Sequence, residues 1–146
     1  MPRLLVVHHT PSPAMQALLE AVRGGVALVE DVELTTRPAL SAGAADLLAA
    51  DGVLLGTPAN IGYMSGALKH FFDTVYYPCL DATVGLAYGV YLHGNDDTAG
   101  ALTSVQRITG ALRWKQVAAP LELTGAPSPA DLDAVRELAA TVAVSL

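Results

Sequence analysis

VLLGTPANIGYMSGALKHFFDTVYY, Val53 to Tyr77, is the stretch from which the rest of the chain can be read. It opens with an apolar run, Val53-Leu54-Leu55, that stops at Gly56. A segment rich in turn-forming residues follows, Thr57 to Tyr63, with Pro58, Asn60 and Gly62. Leu68, Phe71, Phe72 and Val75 then recur at i, i+3, i+4 and i+7, the spacing of one helix face. The order is strand, loop, helix, and the loop lies at the carboxyl end of the strand, where open α/β sheets bind ligands. Asn60 and Gly62 both tolerate unusual backbone angles, so this loop can turn amide groups toward a flat ligand. An ordinary βα connection favours the same residue types.

The same alternation extends in both directions. Arg3–His8 (RLLVVH) is a continuous apolar run, as suits a strand buried on both faces. Ser12 and Pro13 read as an N-cap and first helical residue, followed by Met15, Leu18, Leu19 and Val22 on one helix face. Gly24-Gly25 is expected to end that helix. Val26–Leu34 is expected to form the second strand, and Ala44–Ala49 a weak Ala-rich helix. Tyr76-Tyr77-Pro78-Cys79 is expected to stop the helix after the third strand. Leu86–Leu92 is the fourth strand, with Ala101, Val105, Ile108 and Leu112 on the next helix face. Val117–Leu123, interrupted by Pro120, is the fifth strand region. Ser128, Pro129 and Asp131 start a final helix with Leu132, Val135, Leu138 and Val142 on its face. Five strands alternating with five helices imply a parallel sheet covered on both sides, in one domain spanning residues 1–146. The natural five-stranded order is 2-1-3-4-5.

In that order the loops after strands one, three and four meet at one end of the sheet. They are His9–Ala14, Thr57–Tyr63 and His93–Thr98, all rich in Gly, Pro, Asn, Ser or Thr. The first leads into a helix N-terminus, which attracts phosphate through free amides and the macrodipole. Thr10 and Ser12 add hydroxyls there, no Lys or Arg is present, and Pro11 and Pro13 each remove an amide donor. Ser12 would cap the helix with or without a phosphate. In the third loop His93 can hydrogen-bond a ring carbonyl and Gly94 lets a flat ring approach, while Asp96, Asp97 and Thr98 read better as a cap with first-turn acids.

Composition narrows the function. Apolar residues make up 52% and charged residues 15%, and the net charge of −6 argues against nucleic acid or an anionic membrane as partner. Cys79 is the one cysteine, so no intrachain disulfide forms; a buried, unactivated thiol is expected. The opening residues turn polar too soon for a signal peptide, and no apolar run is long enough to span a bilayer. A soluble cytoplasmic protein is the expectation. His8, His9 and His70 are not spaced with other ligands for a metal site, His70 reads as surface, and Trp114 as core or interface. No P-loop, GxGxxG or GxSxG motif occurs. A phospho-receiver domain needs acids at the end of the first strand, where this chain has His8-His9.

GTPANIGYMSGALKHFFD, Gly56 to Asp73, resembles the second flavin loop and following helix of the flavodoxin-like NAD(P)H-dependent FMN reductases. HHTPSPAMQALLEAV resembles that family's phosphate loop and first helix, and YLHGNDDTAG its third flavin loop, so the resemblance covers nearly the whole chain. It implies a flavodoxin-like three-layer α/β/α sandwich. It also implies FMN, with the phosphate at Thr10, Ser12 and the amides of Ala14 and Met15. The isoalloxazine ring would lie against Pro58, Ala59, Asn60, Ile61 and Gly62, with His93, Gly94 and Asn95 at its other edge.

The implied activity passes electrons from NAD(P)H to a quinone or flavin acceptor, with the chemistry on the flavin and no side chain needed as acid or base. His93 and Tyr63 are the candidates for contacting ring or substrate. The alternatives are a small electron carrier, or a domain of this fold with a degenerate FMN site and no catalysis. The chain departs from the family's phosphate loop: Pro13 stands where it has glycine and Met15 where it has Ser or Thr. Three absent hydrogen bonds, at about 1 kcal/mol each, weaken binding by roughly two powers of ten. The apolar helix faces allow a homodimer.

Overall fold

The computed structural model describes residues 1–146. Twelve elements run in the order β1 (Arg3–His8), α1 (Pro13–Ala27), β2 (Glu33–Pro38), α2 (Ala44–Leu48), β3 (Gly52–Asn60), β4 (Tyr63–Met64), α3 (Gly66–Cys79), β5 (Ala87–Gly94), α4 (Ala99–Ala111), β6 (Lys115–Gln116), β7 (Leu121–Thr124) and α5 (Pro129–Val144). Strands β2, β1, β3 and β5 are parallel neighbours in that order, and β6 and β7 both pair with β5. Because β6 and β7 are two pieces of one interrupted outer strand, this is the expected 2-1-3-4-5 order, although the expected Val117–Leu123 overlaps only β7, and residues 117–120 around Pro120 form no strand. The short β4 is an addition, antiparallel to the end of β3.

Period-two alternation in the central strands divides the core. Leu5, Val7, Val53, Leu55, Tyr88, Val90 and Leu92 pack with α3 and α4 residues such as Phe71, Phe72, Val105 and Trp114. Leu4, Val6, Leu54 and Tyr91 pack on the other face with Met15, Leu18 and Val22 of α1 and with Val135, Leu138 and Val142 of α5. Residues 52–58 of β3 are buried without interruption, as a strand covered on both faces requires. Trp114 is a core residue: it packs near Phe72 and Tyr88, and its Nε1 donates to Thr83 Oγ1 at 2.9 Å. Cys79 is buried, and burial raises its thiol pKa. No helix is long and apolar enough to cross a membrane.

Several boundaries differ from the sequence expectation. Gly24-Gly25 does not end α1, which runs on to Ala27. Gly25 is instead a packing residue: a Cβ there would lie 2.2 Å from the Arg136 carbonyl oxygen, so its hydrogen lets α1 and α5 meet closely. The second strand is therefore Glu33–Pro38, not Val26–Leu34. As an edge strand with one neighbour it carries polar residues that no periodicity rule favours. The end of α3 falls within the expected stretch, at Cys79; Pro78 sits in its last turn, where its missing N–H removes a single helical bond.

The tightest point of the sheet is Gly56. It pairs with His8 on one side and Tyr91 on the other. A Cβ at Gly56 would lie 2.2 Å from Tyr91 Cζ, so the fully buried phenol ring lies over the glycine. Gly56→Ala is expected to lower stability by about 1–3 kcal/mol through overpacking. Gly66→Ala, where the added Cβ meets nothing within 4 Å, should leave it nearly unchanged. Urea denaturation of the two variants checks the contrast.

Candidate functional site

The site is built at the carboxyl ends of β1, β3 and β5. A cavity of about 440 Å³ lies there, within the range of roughly 300–1,000 Å³ usual for small-molecule sites. Its walls are Pro11–Ala14, Pro58–Asn60, His93–Asn95 and Gly125-Ala126. All three loops chosen from the sequence contribute. The fourth wall was missed, although the fold order foretold it: Gly125 follows β7, the outer neighbour of β5, so its turn must come to the same edge. His93 joins these walls, its Nε2 donating to the Gly125 carbonyl at 2.7 Å. Since a carbonyl only accepts, that nitrogen carries the proton, and in the neutral ring Nδ1 is left as an acceptor.

The first wall is a helix start. Ser12 adopts extended backbone (φ −141°), Pro13 supplies the first helical residue, and Ser12 Oγ accepts from the Met15 amide at 3.2 Å. The Gln16 amide is taken by the Ser12 carbonyl. That leaves the amides of Thr10, Ser12 and Ala14 without an intramolecular partner, alternating with two prolines that have none to offer. Thr10 Oγ1 is 2.7 Å from His8 Nδ1. Burial, with lesser contributions from Arg23 and His9, lowers the His8 pKa, so the imidazole is uncharged at neutral pH and brings no positive charge to this loop. The cavity walls carry no Lys, Arg, Asp or Glu. What the site presents is a set of neutral donors at the positive end of a 15-residue helix.

Two expectations for this wall change. Met15 is fully buried against β1 and α5, and its amide is committed to the cap, so it is a core residue and not a free donor. Thr10 does not line the cavity; it stands behind it, bonded to His8.

The second wall is a hairpin and not an irregular loop. β3 continues to Asn60, Tyr63–Met64 returns along it, and Asn60 pairs with Tyr63. The turn uses Ile61 (φ +50°) and Gly62 (φ +72°), two successive positive values as a type I′ hairpin turn needs. The unusual backbone therefore falls on Ile61 and Gly62, and Asn60 is an ordinary strand residue. Pro58, Ala59 and Asn60 line the cavity, whereas Ile61 projects into solvent and Gly62 rests on α4, where a Cβ at Gly100 would lie 2.3 Å from the Gly62 oxygen. Buried hydrogen bonds fix the hairpin: Met64 N to Ser104 Oγ at 3.1 Å, and Ser65 N to Thr57 Oγ1 at 3.0 Å.

Beyond the third wall, Asp97 accepts from the Ala99 amide at 2.9 Å and Asp96 from the Asp97 amide at 2.7 Å. Asp97 thus takes one free amide at the start of α4 from outside the helix, Asp96 bonds only within the loop, and the expected first-turn acids are not there: the N-cap is Thr98, whose side chain makes no capping bond. Thr98 turns away to donate to Glu122 at 2.9 Å. His70 is exposed on α3, and no group of three His, Cys, Asp or Glu side chains gathers as a metal-ligand set.

A β-branched side chain at positive φ costs about 1–2 kcal/mol, and Ile61, fully exposed, recovers nothing by burial. Ile61→Asn is expected to raise stability by about 1 kcal/mol, because asparagine tolerates this conformation. A chemical-denaturation midpoint no higher than wild type would show that the turn is unstrained.

No family model matches the chain. Over 75 residues it is 33% identical to a flavodoxin of Aquifex aeolicus (strain VF5), a match spanning 51% of this chain and 40% of that protein. Among solved structures, a flavodoxin from the domain Archaea superposes with a TM-score of 0.84 at 16% identity, covering 98% of this chain and 97% of the other. Oxidised flavodoxin 1 from Bacillus cereus gives 0.82 at 16% identity, covering 99% of each. A WrbA-like flavodoxin from Agrobacterium tumefaciens gives 0.78 at 20% identity, covering 99% and 97%. The chain has the flavodoxin-like fold, and the resemblance seen in its sequence is borne out at that level.

Proposed function

We propose that the cavity holds FMN and that the protein is an oxidoreductase passing electrons from NAD(P)H to a quinone or flavin acceptor. The observation that supports it most is the pairing of two features in one cavity. Two unpartnered amides, of Ser12 and Ala14, lie in its wall at the start of α1, and the walls beyond them are backbone-rich and free of charged side chains. The first feature suits a phosphate and the second a neutral flat ring. The residues fit the cofactor: the amides of Ser12 and Ala14 and the Ser12 hydroxyl would hold the phosphate, and Pro58–Asn60 with His93–Asn95 would flank the ring. Bound FMN would supply hydride acceptance and onward electron delivery.

The chain's own contribution is position and dipoles. His93 is held at Nε2 by Gly125, so its ring orientation is set before any ligand arrives. Its free Nδ1 would accept from a ring N–H. Fixed backbone amides facing a ring that gains electrons would favour the reduced form, because they are already aligned with the charge that develops. Ile61 and Tyr63, at the tip and return of the hairpin, are exposed and available to a substrate approaching from solvent. Soluble, cytoplasmic work fits this assignment, and the apolar surface positions permit a second copy to associate.

A second reading is favoured by the near-complete structural overlap with flavodoxins and by a chain with no additional elements around the cavity. In it the protein is a carrier, reduced by another protein and not by a nucleotide.

Anaerobic mixing of the FMN-loaded protein with NADH or NADPH separates the two. The oxidoreductase reading expects bleaching of the flavin absorbance and its recovery on adding a quinone. Absence of bleaching with both nucleotides would support the carrier. Within either reading, Pro13→Gly adds an amide donor to the loop and is expected to tighten FMN about fivefold. Equal affinity of that variant and wild type would place the phosphate elsewhere.

A further inference from the structure

The chain has eight Lys and Arg residues, and six are ion-paired within 4.0 Å of a carboxylate: Arg3, Arg23, Arg37, Lys69, Arg113 and Arg136. The two left over are Lys115 and Arg107. Lys115 is exposed on the two-residue strand β6. Arg107 stands in a second cavity of about 430 Å³, which shares no lining residue with the first. In a protein of net charge −6, a lone arginine in a concave site is worth explaining.

The cleft lies between the hairpin, α3 and α4. Tyr63 comes from the hairpin, Lys69 from α3, and Gly100, Thr103 and Arg107 from one face of α4. No Asp or Glu lines it. Ser104, at its back, is fully occupied: it accepts from the Met64 amide and donates to the Ala101 carbonyl. The hydroxyls of Thr103 and Tyr63 are on exposed residues, and Thr103 and Arg107 are one turn apart, four residues along the helix. Lys69 is held by Asp73, so its charge is partly spent, which leaves the Arg107 guanidinium as the main cationic group. A guanidinium presents a planar fork suited to a phosphate's oxygens, and a neighbouring hydroxyl can complete the contact. The half-exposed Tyr63 ring (42%) and Ile108 add flat apolar surface beside it.

We propose that this cleft is a second ligand site, for a small organic phosphate of nucleotide size. Its phosphate pairs with Arg107 and Thr103, and its flat group lies against Tyr63. The site is separate from the flavin cavity and does not depend on that assignment. The two share the hairpin, since Asn60 lines one and its register partner Tyr63 the other.

The test is a titration of the full-length chain with ADP as probe, followed by backbone amide chemical shifts. Saturable shifts are expected at Gly62, Thr103 and Arg107. Arg107→Gln should weaken binding about tenfold or more, and Lys115→Gln, which removes the other unpaired cation, should not change it. Adenosine, without phosphate, should produce no saturable shift at the same concentrations. Thermal melts of both variants confirm that each is folded. The proposal is overturned if the cleft amides do not move, or if the two variants weaken ADP equally, as diffuse attraction would require. It is also overturned if ADP shifts Thr10, Ser12 and Ala14 instead. Failure of the flavin assignment would leave every one of these readouts intact.

Discussion

Burial of β3 on both faces is the constraint from which the architecture follows. Val53, Leu54 and Leu55 point alternately into the two cores, and both flanking strands, β1 and β5, run parallel to it. Parallel neighbours need helical crossovers, and a strand with two apolar faces needs a helix layer on each. The helices α1 and α5 cover one side and α3 and α4 the other. All carboxyl ends of the parallel strands then lie at one edge, so the connections that follow them must meet there. The candidate site is where this arrangement places its loops.

The close approaches are what give that edge its shape. Gly56 brings Tyr91 over the central strand, Gly25 lets α1 and α5 touch, and Gly100 lets the hairpin settle on α4. The Tyr91 hydroxyl is fully buried without a hydrogen-bond partner, and burial holds its pKa far above the ordinary phenol value. It therefore stays neutral and acts as bulk in the core. The hairpin, by contrast, is fastened by hydroxyls: Ser104 accepts from the Met64 amide on the returning strand, and Thr57 from the Ser65 amide just after it. The exposed turn of Ile61 and Gly62 is thus carried on a rigid base. One wall of the cavity is fixed by a helix start, one by this hairpin, and one by the tie between His93 and Gly125.

Much of this was legible in the sequence, and the misses have physical causes. β1, the start of β3 and the caps of α1 and α5 were readable because each rests on local rules: continuous apolar runs, and Ser-Pro with a first-turn partner. Strand β2 was misplaced because its identity depends on its neighbour β1 and not on its own pattern; ELTTRP is a polar edge. The glycine pair in α1 signals a stop locally, but its use is tertiary, against α5. The hairpin was read as a loop because Pro58, Asn60 and Gly62 are turn formers, while the pairing that keeps Asn60 in a strand comes from Tyr63 and from the seat on α4. The place of Met15 in the loop suggests a free donor, yet the cap uses its amide and the core takes its side chain. Gly125 and Ala126 required the fold order before they could be placed.

A fluorescence titration of purified protein with FMN tests most directly the proposal that this edge binds FMN through neutral donors alone. Saturable quenching with one flavin per chain is expected, weakened in Ser12→Ala by the loss of a single neutral hydrogen bond, about fivefold. Unquenched FMN fluorescence at high protein concentration would contradict it, and would mean that Pro11 and Pro13 have left the loop with too few donors to hold a phosphate.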